Sequence, residues 1–153
     1  MSILSTKINR SRRSILSEHL KIPKKSKKCV KTSKKAIKWL GMISKNMNLT
    51  IQMGNEFGEG EYYIQGMNGY RSKIYFDGYC QENNTVYEFH GCKWHNCLLC
   101  FPNSKSEDKN LYFKTIEREQ FIISKGYKLY RIWEHEFDNY IKGKELQLGQ
   151  YIE

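Results

Sequence analysis

The stretch KIYFDGYCQENNTVYEFHGCKWHNCLLC, which runs from Lys73 to Cys100, decides the fold of this chain. Its first part contains two segments rich in aromatic and β-branched residues, at positions 73–80 and 85–90, with the turn-forming residues QENN between them. Such a pattern predicts two antiparallel strands joined by a four-residue turn. We therefore expect a β-hairpin here.

The register of this hairpin predicts where its acidic residues lie. If the four residues QENN form the turn, Cys80 pairs with Thr85, and counting back places Asp77 opposite Glu88. Directly opposed residues share a face, with Cβ atoms about 5 Å apart. His90 lies on the face of Glu88 because side chains alternate along a strand with a period of two.

Two opposed carboxylates destabilise a sheet unless a cation neutralises them. A hard divalent ion such as Mg²⁺ prefers carboxylate oxygens and leaves positions for water and phosphate. Asp77 and Glu88 are therefore candidate Mg²⁺ ligands, and His90 and His95 are candidates for proton transfer. The alternative, from spacing alone, is an exposed strand face that carries ordinary surface acids.

The second part of the stretch contains three cysteines with the spacing of metal ligands, Cys92-x4-Cys97-x2-Cys100. A structural zinc site needs a fourth ligand. His95 is close in sequence, whereas His135 would tie the end of the last predicted strand to the cluster. The chain has five cysteines and no secretory signal pattern, which favours thiols or metal ligands over disulfides. The alternative is three thiols without metal.

The positive charge of the chain is concentrated at its beginning. Residues 1–38 contain 13 basic residues and one acidic residue, whereas residues 39–153 contain 13 basic and 15 acidic residues. We interpret residues 1–32 as a basic, flexible arm and residues 33–153 as the folded domain. Such an arm is typical of proteins that bind a polyanion such as DNA. The run PKKSKK also resembles a nuclear import signal, which an import receptor would bind.

The remaining pattern predicts a mixed α/β domain with helices packed on a small sheet. No apolar run approaches the roughly 18 residues of a membrane span, so we expect an intracellular protein, nuclear in a eukaryotic cell. Trp39 and Trp133 lie in apolar patterns and are predicted core residues. The other predicted elements are a helix after the N-cap Ser33, strands at 49–53 and 62–65, a loop at 101–111, a helix at 114–125 closed by Gly126, and a strand at 127–133.

Several of these residues, in this order, resemble the very short patch repair (Vsr) endonucleases. The resemblance consists of Asp77, the segment HGCKWH at 90–95, a further cysteine, and SKGYKLYRIW followed by Glu134 and His135. FDGYC followed by NNTVYEFHGCKWHNCLLCFP is similar to Vsr-like nuclease regions of mobile-element and viral proteins. The resemblance covers roughly residues 36–137. It implies a restriction-endonuclease-like, PD-(D/E)XK mixed sheet flanked by helices.

The resemblance also implies roles for individual residues. Asp77 matches a metal-binding aspartate, and His90 and His95 match two active-site histidines. The three clustered cysteines fall in a zinc-binding segment, where His135 takes the place of a cysteine. Trp94 matches an aromatic residue that inserts between base pairs in the repair enzymes.

The sequence departs from the repair family at three points. The spacing to Cys100 differs, which leaves Cys97 and His95 partly interchangeable as zinc ligands. Lys93 stands where that family has a second aromatic residue, which argues against mismatch-directed intercalation. The first helix lacks the acidic residue that related nucleases place there. Glu56, Glu59 and Glu61 are the candidates to replace it, and the sequence does not choose among them.

Together these observations predict a Mg²⁺-dependent DNA endonuclease with a structural Zn²⁺. Lys114 and Arg118, one turn apart on the second predicted helix, either contact phosphate or form a solvated helix face. One alternative function is a catalytically inactive, zinc-stabilised DNA-binding module. Another is a structural or partner-recruiting zinc protein.

Overall fold

The computed structural model describes residues 32–54, 60–66 and 73–153, which contain three helices and seven strands. All of the predicted arm except Thr32 lies outside the described residues, and so does the run PKKSKK. The elements in chain order are α1 (Lys34–Met47), β1 (Gln52–Met53), β2 (Tyr63–Gln65), β3 (Lys73–Tyr75), β4 (Gly78–Cys80), β5 (Thr85–His90), α2 (Ser106–Ser124), β6 (Lys128–Trp133), α3 (Glu134–Ile141) and β7 (Gln150–Ile152).

Helix α1 begins and ends as its sequence predicts. The Ser33 hydroxyl accepts a hydrogen bond from Ala36 N at 3.1 Å, as an N-cap does. The helix ends at Asn48, which has a φ of 51°. Its apolar face packs on the main sheet and consists of the buried residues Ala36, Trp39, Leu40 and Ile43.

The main sheet has five strands in the order β1-β4-β5-β6-β7. Strands β5 and β6 are parallel and are connected through α2, whereas the other neighbouring pairs are antiparallel. Strands β2 and β3 form a separate antiparallel pair. The predicted mixed α/β architecture is confirmed.

Strand β5 lies at the centre of the sheet and alternates between its two faces. Tyr87 and Phe89 pack in one core cluster with α1 and with Phe137 of α3. Val86 packs in the other core cluster, with residues of α2, and Glu88 and His90 contact side chains of α2. Helices α1 and α3 therefore cover one face of β5, and α2 covers the face that carries the polar candidates.

The predicted hairpin register is confirmed, since Cys80 pairs with Thr85 and Gly78 pairs with Tyr87. The prediction of one continuous strand over residues 73–80 is wrong. The pairing with β5 begins only at Gly78, and at the preceding residue the Asp77 carboxylate, rather than a backbone carbonyl, accepts the Phe89 N–H at 2.8 Å. Residues 73–75 pair instead with β2.

Gly78 is needed at the start of β4 because α1 passes close to it. A Cβ atom at this position would lie 2.7 Å from Leu40 Cδ2 and 2.9 Å from Ile51 Cγ2, both closer than carbon atoms approach one another. The glycine thus allows the helix to pack directly over the residue that follows Asp77.

The second helix is longer than predicted, and part of the predicted loop at 101–111 is wrong. Helix α2 begins at Ser106, within a run of polar residues that resembles a loop. Glu107 and Asp108 in its first turn interact favourably with the helix dipole. Gly126, with a φ of 87°, follows the helix as predicted.

Helix α3 and strand β7 are additional elements that the sequence patterns do not predict. Helix α3 is short, and β7 pairs with the edge of β6. None of the three helices in the described parts of the chain has both the length and the apolar composition of a membrane span.

Candidate functional site

The Cys₃His cluster is the first candidate site. Ligand atoms of Cys92, Cys97, Cys100 and His135 all lie within 4.8 Å of one another. His135 Nδ1 is 3.2 Å from Cys92 Sγ and 3.6 Å from Cys97 Sγ. In a tetrahedral zinc site, sulfur and nitrogen ligands lie about 3.5 Å apart, given their bond lengths to the metal. These four residues could therefore hold zinc, as predicted.

Local backbone turns bring the four residues together. Cys97 N donates to Cys92 O at 2.9 Å, which folds the first two cysteines over one another. His135 lies in the first turn of α3, and its neighbour Glu134 accepts the Cys92 N–H at 3.1 Å. Trp133, which is buried, packs beside Cys92 and Cys97. The cluster thus ties the loop after β5 to the start of α3.

Burial makes ionisation of the cysteine thiols in this cluster unfavourable when no cation is near. Burial raises the pKa of the Cys92 thiol to about 12, and it raises the pKa of the Cys100 thiol as well. Buried thiols form thiolates when a cation compensates their charge, which is what zinc does in structural sites. Cys80 is a free thiol in the apolar core, away from this cluster.

The acidic residues of the hairpin form the second candidate site. Burial and the nearby charge of Glu88 raise the pKa of Asp77 to about 7, although the Phe89 N–H bond acts in the opposite direction. The structure therefore places Asp77 and Glu88 close enough to interact, as the register predicts. Excess negative charge of this kind is what a divalent cation would neutralise.

Arg118 of α2 binds Glu88 through two nitrogen atoms of its guanidinium group. Its Nη2 donates to Glu88 Oε1 at 2.8 Å and its Nε donates to Oε2 at 3.3 Å. Nη2 also donates to the backbone carbonyl of Tyr75. The sequence predicts that Arg118 either contacts phosphate or lies on a solvated helix face. The structure agrees with neither prediction, because Arg118 makes an ion pair inside the candidate site.

Glu61 is the third acidic residue near this pair. Its carboxylate Oε1 accepts a hydrogen bond from the Thr32 hydroxyl at 2.6 Å. Burial raises the pKa of Glu61, and the charge of Glu88 raises it further. Among the three glutamates proposed from sequence, Glu61 is thus beside the hairpin acids, whereas Glu56 and Glu59 lie outside the described residues.

His90 is fully buried and is held by a chain of charged groups. Its Nε2 lies 2.7 Å from Glu119 Oε1, and Arg131 Nη1 donates to both Glu119 oxygens at 2.9 and 3.0 Å. Since Arg131 stabilises the charged form of Glu119, His90 donates from Nε2. The opposite ring nitrogen, Nδ1, is buried and has no hydrogen-bond partner within the described chain.

His95 lies beside His90 and is not one of the four residues of the Cys₃His cluster. Its Nδ1 lies 2.8 Å from Thr115 Oγ1, whose own hydrogen is donated to Leu111 O at 2.9 Å. The threonine oxygen can therefore only accept from His95, which leaves the lone pair on Nε2. Burial, followed by the charges of His90 and Arg118, lowers the pKa of His95 to about 4. The imidazole is neutral near pH 7.

The two imidazoles lie side by side between β5 and α2. The ring centroids of His90 and His95 are 4.9 Å apart, and the His90 ring also lies 5.0 Å from that of Trp133. Trp133 and Trp39 are buried, as predicted. Trp94, in the loop that carries the cysteines, is 79% exposed.

Sequence patterns miss two residues of α2 that hold the site, Thr115 and Glu119, and they do not predict the contact of Arg118 with Glu88. Thr115, Arg118 and Glu119 are spaced by three and four positions and therefore lie on one face of the helix. A polar stripe of this kind, opposite a strand that carries Glu88 and His90, is the signal that could have found them. Arg131 of β6 has no comparable signal, because its contact with Glu119 depends on the parallel pairing of β5 and β6.

Comparison with protein-family models, curated proteins and solved structures finds no match to this chain. The arguments about its function therefore depend on the site itself.

Proposed function

We propose that this chain is a metal-dependent DNA endonuclease with the restriction-endonuclease-like fold of the Vsr-like enzymes and a structural zinc. One observation carries the proposal. Glu88, which lies beside Asp77, is on the same face of β5 as His90, and the His90 imidazole lies 4.9 Å from that of His95. Carboxylates and imidazoles together provide the groups that metal-assisted hydrolysis of a phosphodiester needs.

The acidic donors fit a hard divalent cation. Oδ2 of Asp77 accepts the Phe89 N–H, which leaves Oδ1 to face a cation. The raised pKa of Asp77 indicates that the protein alone does not balance its negative charge. Asp77 is therefore the first expected Mg²⁺ ligand, with Glu88 beside it and Glu61 as a third acidic group. A bound Mg²⁺ would supply a more acidic water and stabilise charge on the phosphate.

The two histidines suit different tasks. His95 presents the lone pair of Nε2, and its neutral imidazole can accept a proton from the attacking water. His90 is fixed by Glu119, and its buried Nδ1, which has no partner among the described residues, can form a hydrogen bond with a water molecule and orient it. Thr115 and Glu119 are positioning residues in this proposal, because each fixes the orientation of one imidazole.

The charge distribution supports DNA as the substrate. The net charge of residues 1–38 is strongly positive, and Lys34, Lys38 and Lys45 are exposed on α1. Basic side chains of this kind bind the phosphate backbone through release of counterions. The basic arm would add DNA contacts, and its PKKSKK run would direct nuclear import in a eukaryotic cell.

One observation favours an alternative, a catalytically inactive and zinc-stabilised DNA-binding module. Both oxygens of Glu88 are occupied by Arg118, so an internal ion pair already neutralises one of the two hairpin acids. Under this alternative, Asp77, Glu88 and Arg118 would stabilise the fold without binding metal.

Incubation of zinc-loaded protein with supercoiled, linear, branched and mismatched DNA, in Mg²⁺ and in EDTA, separates the two functions. We expect nicked or linear products in Mg²⁺ and none in EDTA. Asp77→Asn should reduce cleavage by about 100-fold or more, because a lost metal ligand costs several kcal/mol of transition-state stabilisation. Retention of DNA without cleavage in any buffer would favour the binding module.

A further inference from the structure

Among the residues that the structure describes, Arg118 is the only cationic side chain that is hydrogen-bonded to the hairpin acids. Its guanidinium contacts both oxygens of Glu88, and Asp77 and Glu61 also act on its charge. One carboxylate thus contacts the guanidinium directly, and two more lie near enough to stabilise its charge. In number and position, this arrangement resembles a metal site in which the guanidinium takes the place of the ion.

We propose that Arg118 is an internal cation that competes with the divalent metal for Glu88. The inference rests on the proposed function and deepens it, because it concerns how the metal reaches its second carboxylate ligand. In the metal-free protein, the guanidinium neutralises Glu88. A divalent ion bound at Asp77 reaches Glu88 only when the guanidinium moves away from at least one carboxylate oxygen.

The burial of the two partners supports exchange between them and the metal. The side chain of Glu88 is 6% exposed, whereas that of Arg118 is 26% exposed. A buried carboxylate requires a positive partner at all times, since a buried and unpaired charge is strongly destabilising. Arg118 reaches the solvent and can move without burying a second charge. The carboxylate therefore stays in place while its cationic partner changes.

The backbone contact of Arg118 gives this exchange a structural consequence. The guanidinium also donates to Tyr75 O, at the end of β3 and two residues before Asp77. The same group thus holds α2, β5 and the chain segment that precedes the aspartate. When Arg118 leaves Glu88, this contact with the segment before Asp77 can also be lost.

Manganese binding to zinc-loaded protein, measured by isothermal titration calorimetry without DNA, tests the competition. Arg118→Gln should bind Mn²⁺ about tenfold or more tightly than wild type, because the competing charge-assisted hydrogen bonds are removed. Lys114→Gln is the matched control. Lys114 is exposed one turn earlier on α2, and its removal should change Mn²⁺ affinity by less than about twofold.

Arg118→Gln leaves the buried Glu88 without a cation, which destabilises the fold. A second variant is therefore included. Arg118→Lys keeps the positive charge but cannot hold both oxygens as the planar guanidinium does. It should also tighten Mn²⁺ binding, by less than Arg118→Gln. Thermal unfolding shows which variants are folded, and only these are compared. A double variant, Glu88→Gln with Arg118→Gln, should bind Mn²⁺ more weakly than Arg118→Gln.

Unchanged or weaker Mn²⁺ binding in the folded arginine variants would overturn the inference and leave Arg118 as a structural clamp. If wild type still cleaves DNA in Mg²⁺, the proposed function stands without it. If wild type and all variants bind no Mn²⁺ and cleave no DNA, both proposals fail together.

Discussion

The zinc cluster and the acidic site lie next to each other in sequence but neutralise charge in different ways. In the cluster, four ligand atoms face one another within 4.8 Å, and no lysine or arginine of the described residues is hydrogen-bonded to the sulfur atoms. In the acidic site, Glu88 is held by Arg118, Asp77 by a backbone N–H and Glu61 by Thr32. The cluster therefore offers four ligands to an external cation, whereas the acidic site already contains a cationic partner.

This difference predicts which substitutions affect folding and which affect chemistry. Loss of a cluster ligand should destabilise the protein, because the loop after β5 and the start of α3 are joined there. Changes at the imidazoles and at Asp77 should alter cleavage or its response to pH while the fold persists. The predictions below test this division, from the largest expected effect to the smallest.

The largest effect is expected from Cys97→Ser. The variant should lose the zinc ion and about 3 kcal/mol or more of its free energy of unfolding, since the binding free energy of a structural zinc is part of the folding free energy. Metal analysis per chain and chemical denaturation measure the two quantities. Cys80→Ser is the control, because that thiol lies outside the cluster and its removal should leave zinc content at one per chain. Fully folded, metal-free wild type would contradict the zinc assignment.

An intermediate effect is expected from His95→Gln. The variant should lose about 100-fold in the rate of Mg²⁺-dependent DNA cleavage, because a general base contributes on that order. Its zinc content should remain at one per chain, since His95 is bonded to Thr115 and not to the cysteines.

His135→Gln provides the matched comparison, because it removes an imidazole from the cluster instead of the acid–base site. It should lose zinc. Zinc loss in the His95 variant, with zinc retained in the His135 variant, would reverse the assignment of the two histidines.

The smallest effect is a pH dependence of stability caused by Asp77. Its pKa is about 7 in the folded, Mg²⁺-free protein and near 3.8 when exposed. Between these pH values Asp77 binds more protons in the folded state than in the unfolded state. Asp77 therefore lowers the free energy of unfolding progressively as the pH rises from about 4 to 7, and the loss is complete above pH 7. Asp77→Asn keeps an oxygen that can accept the Phe89 N–H but removes the charge. Its stability relative to wild type should therefore increase by about 2.5 kcal/mol as the pH rises from 5 to 8.

Thermal unfolding of both proteins at the two pH values, in EDTA too dilute to remove the zinc, measures this difference. Glu82→Gln, at an exposed position in the hairpin turn, is the control for removal of a negative charge. A constant difference between Asp77→Asn and wild type at both pH values would show that Asp77 is not in a desolvated, acid-rich site.

The sequence predicts the hairpin and the cysteine cluster because both depend on spacing along the chain. The four-residue turn sets the pairing of Cys80 with Thr85, and this pairing brings Asp77 to Glu88. The cysteine spacing similarly limits the possible zinc ligands. In contrast, the choice of His135 over His95 depends on which elements follow β6, and the sequence leaves that choice open.

The parts that sequence patterns could not predict depend on contacts between distant elements. Arg118 and Glu119 reach Glu88 and His90 only because α2 crosses over β5 before the chain enters β6. At the break before β4 a side chain replaces a backbone partner, which no alternation of residue types reveals. Helix α2 begins in a polar segment whose composition is equally typical of a loop.

The most direct test of the central claim, a metal-dependent cleavage site centred on Asp77, is single-turnover cleavage of supercoiled DNA by wild type and Asp77→Asn at equal zinc content. The account predicts that wild type cleaves in Mg²⁺ and that the variant, folded and with one zinc per chain, is slower by about 100-fold or more. Equal cleavage by the two proteins, or no cleavage by zinc-loaded wild type, would contradict it.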